Sequence, residues 1–110
     1  MEMKKTQKKQ LRKLAGIAYE RDLSRCLEIV GKKFDQWRAG EISVWELNDV
    51  IHEFHNEIGR ELYNAYTISD PRFSVAFGIT SGVLGLEDVP SDCHPLIQGL
   101  VEGIGQGQRH

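Results

Sequence analysis

The sequence predicts an all-α protein, a compact array of four to five helices built on a long antiparallel αα-hairpin. Two observations lead to this expectation. Apolar residues recur at intervals of three and four over most of the chain, whereas the alternation typical of half-buried strands is almost absent. No proline occurs before Pro71, so the first seventy residues contain none of the side chains that most strongly interrupt a helix.

The composition predicts one soluble globular domain over residues 1–110. No apolar run approaches the roughly 20 residues that a membrane helix needs, and no apolar segment of signal-peptide type follows the basic start. Two distant cysteines do not form a disulfide framework. We therefore expect a cytoplasmic protein of bacterial type, with a flexible basic N-terminus at 1–9, a frayed tail at 105–110 and no membrane partner.

The first helical region, residues 4–39, changes phase along its length. Its second half carries one apolar stripe, and its first half carries another that lies nearly opposite; the two consist of Leu23, Leu27, Val30, Phe34 and Trp37, and of Leu11, Leu14 and Ala18. Either the helix breaks near Tyr19–Asp22, or it packs on different sides at its two ends. We expect two helices or one kinked helix.

The stretch FDQWRAGEISVWE can be aligned with a twelve-residue calcium-binding loop, with Asp35 at position 1, Gly40 at position 6 and Ile42, Ser43 and Glu46 at positions 8, 9 and 12. Trp37 and Ala39, however, stand where such a loop needs ligand oxygens. A helix corner explains the same residues without a metal. Gly40 can end the first helix in the left-handed conformation, and Ser43 with Glu46 forms a capping box that starts the next. The very short connection makes the two helices antiparallel neighbours.

The second helix should run from Val44 to Tyr66, and two shorter helices should follow. Its predicted core stripe consists of Val44, Leu47, Ile51, Phe54, Ile58, Leu62 and Ala65. Ser69 or Asp70 followed by Pro71 predicts the start of a third helix that Gly82 ends, because proline suits the first helical position. A last helix is expected near Cys93–Ile104.

A second strip of non-polar residues on the second helix predicts a partner-binding surface. This partner strip consists of Trp45, His52, Gly59, Tyr63 and Tyr66. Tryptophan and tyrosine are typical anchors of interfaces, and a glycine inside a helix suggests the close approach of another backbone. We expect a homodimer or another protein partner to cover it. The alternative is that the strip is a second core face covered by the chain's own helices.

Charge is divided unevenly along the chain. Residues 1–40 hold eleven Lys and Arg against five Asp and Glu, a net +6, whereas residues 41–110 hold three against eleven, a net −8. Six of the basic residues form a broad face of the first helix, the basic face: Lys4, Lys5, Lys8, Lys9, Arg12 and Lys13. Salt-dependent contact with nucleic-acid phosphates is therefore an alternative function, without a motif for reading bases.

Catalytic chemistry has little support in the sequence, and we expect no enzyme, no cofactor and no metal. His52 and His55 with Glu53 between them miss the HExxH zinc spacing by one residue, which leaves a metal-dependent enzyme as a second alternative. Cys26 lies among apolar neighbours and is interpreted as an inert thiol. The favoured function is a small non-catalytic protein-interaction or regulatory module that associates with itself.

Overall fold

The computed structural model describes residues 2–107 of the chain, and the regular secondary structure in that range is all helical, with no strand. Helix α1 spans Lys5–Arg38. Helix α2 consists of four consecutive segments, Val44–Glu53, Phe54–Ile58, Gly59–Tyr63 and Asn64–Ile68, of which the second and fourth are π-helical. Helices α3 and α4 span Pro71–Thr80 and His94–Gly107, joined through two short 3₁₀ turns. The all-α class and the hairpin are confirmed.

Helix α1 is a single helix of 34 residues, so the expected break near Tyr19–Asp22 is wrong. The change of phase arises instead because the two halves of α1 pack on different sides. The first half buries Leu11, Ala15 and Ala18 in the core, while the second half lies beside α2. A continuous helix that packs on different sides at its two ends produces the same sequence pattern as two helices.

The corner between α1 and α2 is built as the sequence predicts. Gly40 has φ 77°, and the amides of Gly40 and Glu41 donate to the carbonyls of Trp37 and Gln36, which together make a Schellman motif. The Ser43 hydroxyl accepts a hydrogen bond from the Glu46 amide at 3.1 Å. The reciprocal bond from the Ser43 amide to the Glu46 carboxylate is not formed in the described structure, so half of the capping box is present.

The core joins the first half of α1, the end of α2, α3 and α4. Its fully or almost fully buried members are Leu11, Ala18, Leu62, Ala65, Tyr66, Val75, Leu84, Val89, Cys93, Leu96 and Ile97. Gly78 lets α3 approach α1 closely, since a Cβ there would lie 2.9 Å from the Cβ of Ala18. Asp70 caps α3 by accepting from the Arg72 amide, and Pro71 occupies its first position, as predicted.

The N-terminal segment is tied to this core, which differs from the flexible terminus expected for residues 1–9. Helix α1 already begins at Lys5, and Met3 packs against the core cluster. The Gln7 side chain is buried and donates to the backbone carbonyl and carboxylate of Asp92 at 3.1 and 3.3 Å. In the tail, α4 continues to Gly107, and the rest of the expected frayed segment lies outside the described residues.

The distal half of the hairpin extends away from the core. We call residues 27–58 the arm; Leu47 is the one residue within it that is buried. The described chain measures 53 × 28 × 23 Å with a radius of gyration of 16.6 Å, against about 13 Å for a compact domain of this length. The protein is therefore a helical body with an exposed two-helix arm. None of its described helices is both long and apolar enough to traverse a bilayer.

Replacing Ser43 with alanine should lower the free energy of unfolding by about 1 kcal/mol, because the Glu46 amide at the start of α2 loses its acceptor. Urea unfolding measures this difference. Ser24→Ala on the exposed surface of α1 is the control and should change stability by less than about 0.5 kcal/mol. Equal stability of the two variants would contradict the capping role.

Candidate interaction surface

The structure separates the partner strip into exposed and buried members. Trp45 is 75% exposed, Tyr63 is 52% exposed and His52 is also exposed, so none of the three is covered by the chain's own helices. Tyr66 is only 6% exposed and belongs to the core cluster. Tyr66 is therefore removed from the predicted partner-binding residues, and the other large side chains of the strip remain accessible.

Tyr66 is held in the core by a buried polar network. Its hydroxyl donates to Asp22 Oδ2 at 2.7 Å, and Arg25 Nη2 donates to Asp22 Oδ1 at 2.8 Å. Arg25 also donates to the carbonyl of Ser81 at the end of α3. The ring of Tyr19 stacks on Tyr66 with centroids 5.6 Å apart. The network thus joins α1, α2 and α3 at one level of the fold.

Asp22 was missed by the sequence reasoning, although a signal for it exists. It continues the spacing of the buried residues Leu11, Ala15 and Ala18, so it occupies a core position with a charged side chain. Burying a carboxylate is costly unless it is paired and hydrogen-bonded. An aspartate at a core position therefore indicates that nearby donors satisfy it, as Tyr66 and Arg25 do.

Gly59 is explained by its own helix rather than by a partner's backbone. The Gly59 amide closes a π-helical turn by donating to the carbonyl of Phe54. A Cβ on Gly59 would lie 3.1 Å from that carbonyl oxygen, closer than side chains ordinarily approach. The close neighbour of Gly59 is therefore a carbonyl five residues earlier in its own helix, and the approach of another backbone stays a prediction.

The same π-helical segment forms one wall of a surface groove, the Gly59 groove. Its lining residues come from both helices of the hairpin and are Tyr19, Leu23, Phe54, His55, Gly59, Arg60 and Tyr63. Its volume is about 280 Å³, and its lining includes no acidic residue.

The arm concentrates the apolar surface of the molecule. Of the eleven large hydrophobic residues that are exposed in the described structure, seven lie on the arm: Leu27, Ile29, Trp37, Val44, Trp45, Ile51 and Ile58. Three of these, Val44, Ile51 and Ile58, were predicted to be core. Each of two paired helices covers only one side of the other, so residues at the edges of the predicted core stripe remain exposed to solvent. Large exposed apolar patches mark interaction sites in soluble proteins, and this concentration makes the arm the candidate surface.

The basic face is exposed over its whole length. All six residues of the face are accessible, and no ion pair to any of them is present among the described residues. Because α1 begins at Lys5 and is anchored by Gln7, five of the six project from a fixed helix. The acidic residues of the second helix, α2, are not part of this face.

His52 and His55 are both exposed on α2, one turn apart. Within residues 2–107 no group of three or more His, Cys, Asp or Glu side chains is placed to hold a metal ion. Burial and the nearby Asp22 carboxylate raise the pKa of the Cys26 thiol, and burial raises that of Cys93. Both shifts disfavour the reactive thiolate.

Comparison of the chain with protein-family models, with curated proteins and with solved structures gave no match.

Tyr66→Phe should lower the free energy of unfolding by about 1–3 kcal/mol, because it leaves the buried Asp22 carboxylate without one of its donors. Denaturant unfolding at pH 7 measures the loss. Tyr63→Phe is the matched control, since that ring is half exposed, and it should change stability by less than about 0.5 kcal/mol.

Comparing the wild type with Tyr66→Phe at different pH values gives a second test. Burial and the hydrogen bond to Asp22 raise the pKa of Tyr66, so the folded state favours the protonated phenol. This contribution is complete below the ordinary tyrosine pKa of about 10 and is lost as the pH rises above it. Wild-type stability should therefore fall more steeply above pH 10 than that of Tyr66→Phe. Parallel pH profiles would contradict this role.

Proposed function

We propose that the protein is a small non-catalytic interaction module that binds another protein through its arm. The observation that carries the proposal is the concentration of exposed large hydrophobic residues on residues 27–58, where Leu47 alone is buried. An arm with so little core of its own gains stability when a second surface covers its apolar side chains. Its aromatic and aliphatic anchors are of the type that dominates binding energy in interfaces.

The architecture supports an arm that binds while the body stays folded. The core cluster includes no residue of the arm among its buried members, and Asp22, Tyr66 and Arg25 fasten the hairpin at the level where the arm begins. A change on the arm's surface therefore leaves the packing of the body intact. Binding energy and folding stability are supplied by different residues, which makes the proposal testable by substitution.

Trp45→Ala combined with Leu27→Ala should release the bound protein, because both side chains are accessible and apolar. The measurement is co-purification from the native host, with a tagged and an untagged copy expressed together. Removing two well-covered anchors should weaken binding at least tenfold, since hot-spot truncations each cost about 2 kcal/mol or more.

The matched control is Leu86→Ala with Leu100→Ala, two exposed hydrophobic residues outside the arm. The control pair should retain the partner at the wild-type level. If the partner still co-purifies with the arm variant but is lost from the control variant, the binding surface lies on the body and the proposal is contradicted.

A second candidate function is contact with nucleic-acid phosphates through the basic face. The observation that favours it is the fixed and accessible arrangement of five basic side chains on the first turns of α1. Residues four apart in a helix rise by about 6 Å, so the face presents two short rows of positive charge. Such a face binds by counterion release and does not read sequence.

Lys5→Gln with Lys9→Gln should reduce the slope of log affinity against log salt by about 2 for a short DNA duplex, since each lost phosphate contact contributes about 0.9. Lys32→Gln with Lys33→Gln on the arm is the control with the same charge change and should leave the slope unchanged. Equal effects of the two pairs, or no binding at low salt, would rule out the basic face as a specific contact surface.

A further inference from the structure

The face of α1 that is buried in the body is uncovered in the arm. Ile29 lies seven residues after Asp22 and eleven after Ala18, close to whole numbers of turns, so the three residues share one face of a continuous α-helix. Ala18 and Asp22 are buried, whereas Ile29 is 57% exposed. The element that covers this face is therefore lost between Asp22 and Ile29.

The element that covers this face in the body is α3. A Cβ on Gly78 would lie 2.9 Å from the Cβ of Ala18, and Ser74 Oγ donates to a backbone carbonyl of α2, so α3 packs against both helices of the hairpin. At its end, the carbonyl of Ser81 accepts a hydrogen bond from Arg25. Helix α3 therefore runs in the same direction as α1 and points towards the arm.

The chain turns back before α3 reaches the arm. Gly82, with φ 83°, follows the end of the helix. The next carbonyl, that of Val83, accepts from Arg21, which lies one turn of α1 closer to the body than Arg25. Beyond this level the surface beside the hairpin continues as an open groove.

This open continuation is the Ile29 groove, which lies between α1 and α2 and has a volume of about 210 Å³. Helix α1 contributes Cys26, Ile29 and Lys33 to its lining, α2 contributes Val50 and Glu53, and its other lining residues are apolar. No ion pair among the described residues joins Lys33 to Glu53. The groove is thus an apolar floor with one unpaired charged residue from each helix.

The α2 side of this groove is acidic. Residues 41–58 contain five Asp and Glu and no Lys or Arg. Within the α-helical segment Val44–Glu53, Glu46 lies four residues before Val50 and Glu53 lies three after it, so both carboxylates are on the Val50 side of α2. Neither takes part in an ion pair within the described part of the chain. This wall can therefore meet cationic groups of a partner.

We infer that the Ile29 groove binds an amphipathic helix of another protein, whose apolar stripe is bordered by Lys or Arg on the side that faces α2. This inference rests on the proposed binding role of the arm and names the chemistry of the partner. The bound helix continues the line of α3, so that a third helix covers the hairpin in the arm as it does in the body. An apolar helix face laid in a hydrophobic groove is a common mode of recognition.

The chain's own basic helix does not fit this description. The basic face belongs to the first half of α1, whose apolar residues Leu11 and Ala15 are buried in their own core. They cannot enter the groove of a second copy while the body stays folded. The other three helices hold only two Lys or Arg residues, Arg60 and Arg72. The occupant is therefore a different protein.

Two synthetic peptides test the charge of the occupant. Both are about 14 residues long, or about 21 Å as a helix, and carry a leucine stripe bordered by lysines in one and by glutamates in the other. At low salt the lysine peptide should bind the full chain at least about tenfold more tightly, because like charges across a contact oppose binding. The difference should shrink in 1 M salt, where the Debye length is about 3 Å. Fluorescence anisotropy of labelled peptides measures both dissociation constants.

Reversing the charge of the acidic wall tests its role. Asp49→Lys with Glu53→Lys should make the glutamate peptide the tighter ligand. Glu20→Lys with Glu28→Lys makes the same change of charge at exposed residues of α1 that do not line the groove, and this control should still prefer the lysine peptide. Reversal by both pairs would mean that net charge decides the preference, and would overturn the inference.

Ile29→Gln tests the apolar floor and should weaken binding of the lysine peptide at least about tenfold, as the loss of a central anchor does. Ile68→Gln, at an exposed isoleucine outside the groove, is the control and should bind normally. Circular dichroism verifies the helix content of both variants. In the wild type, the bound peptide should also slow the alkylation of Cys26 by iodoacetamide, since this thiol lines the groove.

The outcomes separate this inference from the proposed function. Equal affinity for the two peptides, no binding of either, or an unchanged alkylation rate of Cys26 would overturn the inference. A host protein that is retained by Ile29→Gln but released by Trp45→Ala with Leu27→Ala would also overturn it and leave the binding role of the arm standing. Release of that protein by Leu86→Ala with Leu100→Ala alone would contradict the proposed function itself.

Discussion

The buried carboxylate of Asp22 is the constraint on which the arrangement of the helices depends. It is 2% exposed and receives hydrogen bonds from Tyr66 on α2 and from Arg25 on α1, while Arg25 continues to the end of α3. A buried charge tolerates only the geometry that satisfies it. Because its donors come from two helices and reach a third, their relative rotation is fixed at this level.

This level also divides the molecule into two parts with different packing. Before Asp22, α1 contributes Leu11, Ala15 and Ala18 to the buried core; beyond Arg25, which still reaches the end of α3, it runs beside α2. A pair of helices buries one stripe on each and leaves the flanks of that stripe open. The arm therefore exposes side chains such as Ile51 and Ile58 that would be core in a larger bundle.

Much of this fold follows from local sequence signals, and the failures have identifiable causes. The corner at Gly40 and the starts at Ser43 and Asp70 are set by capping chemistry within a few residues, so they are visible in the sequence. The continuity of α1 is not visible, since a break and a change of packing partner give the same pattern. Tyr66 was predicted to lie on the partner strip but lies in the core, because the two π-helical segments rotate the end of α2 relative to an ideal helix.

The π-helical segments also connect the packing of the body with the surface of the arm. The second segment, Asn64–Ile68, contains Tyr66, which reaches Asp22, and the first, Phe54–Ile58, contributes Phe54 and His55 to the lining of the Gly59 groove, which Tyr19 of α1 also lines. Tyr19 stacks on Tyr66 and is also one of the residues that line the groove. The shape of the groove therefore depends on the same buried network that fixes the helices. A surface with a wall residue held by the core is partly pre-organised, and a partner that binds it loses less free energy in ordering the site.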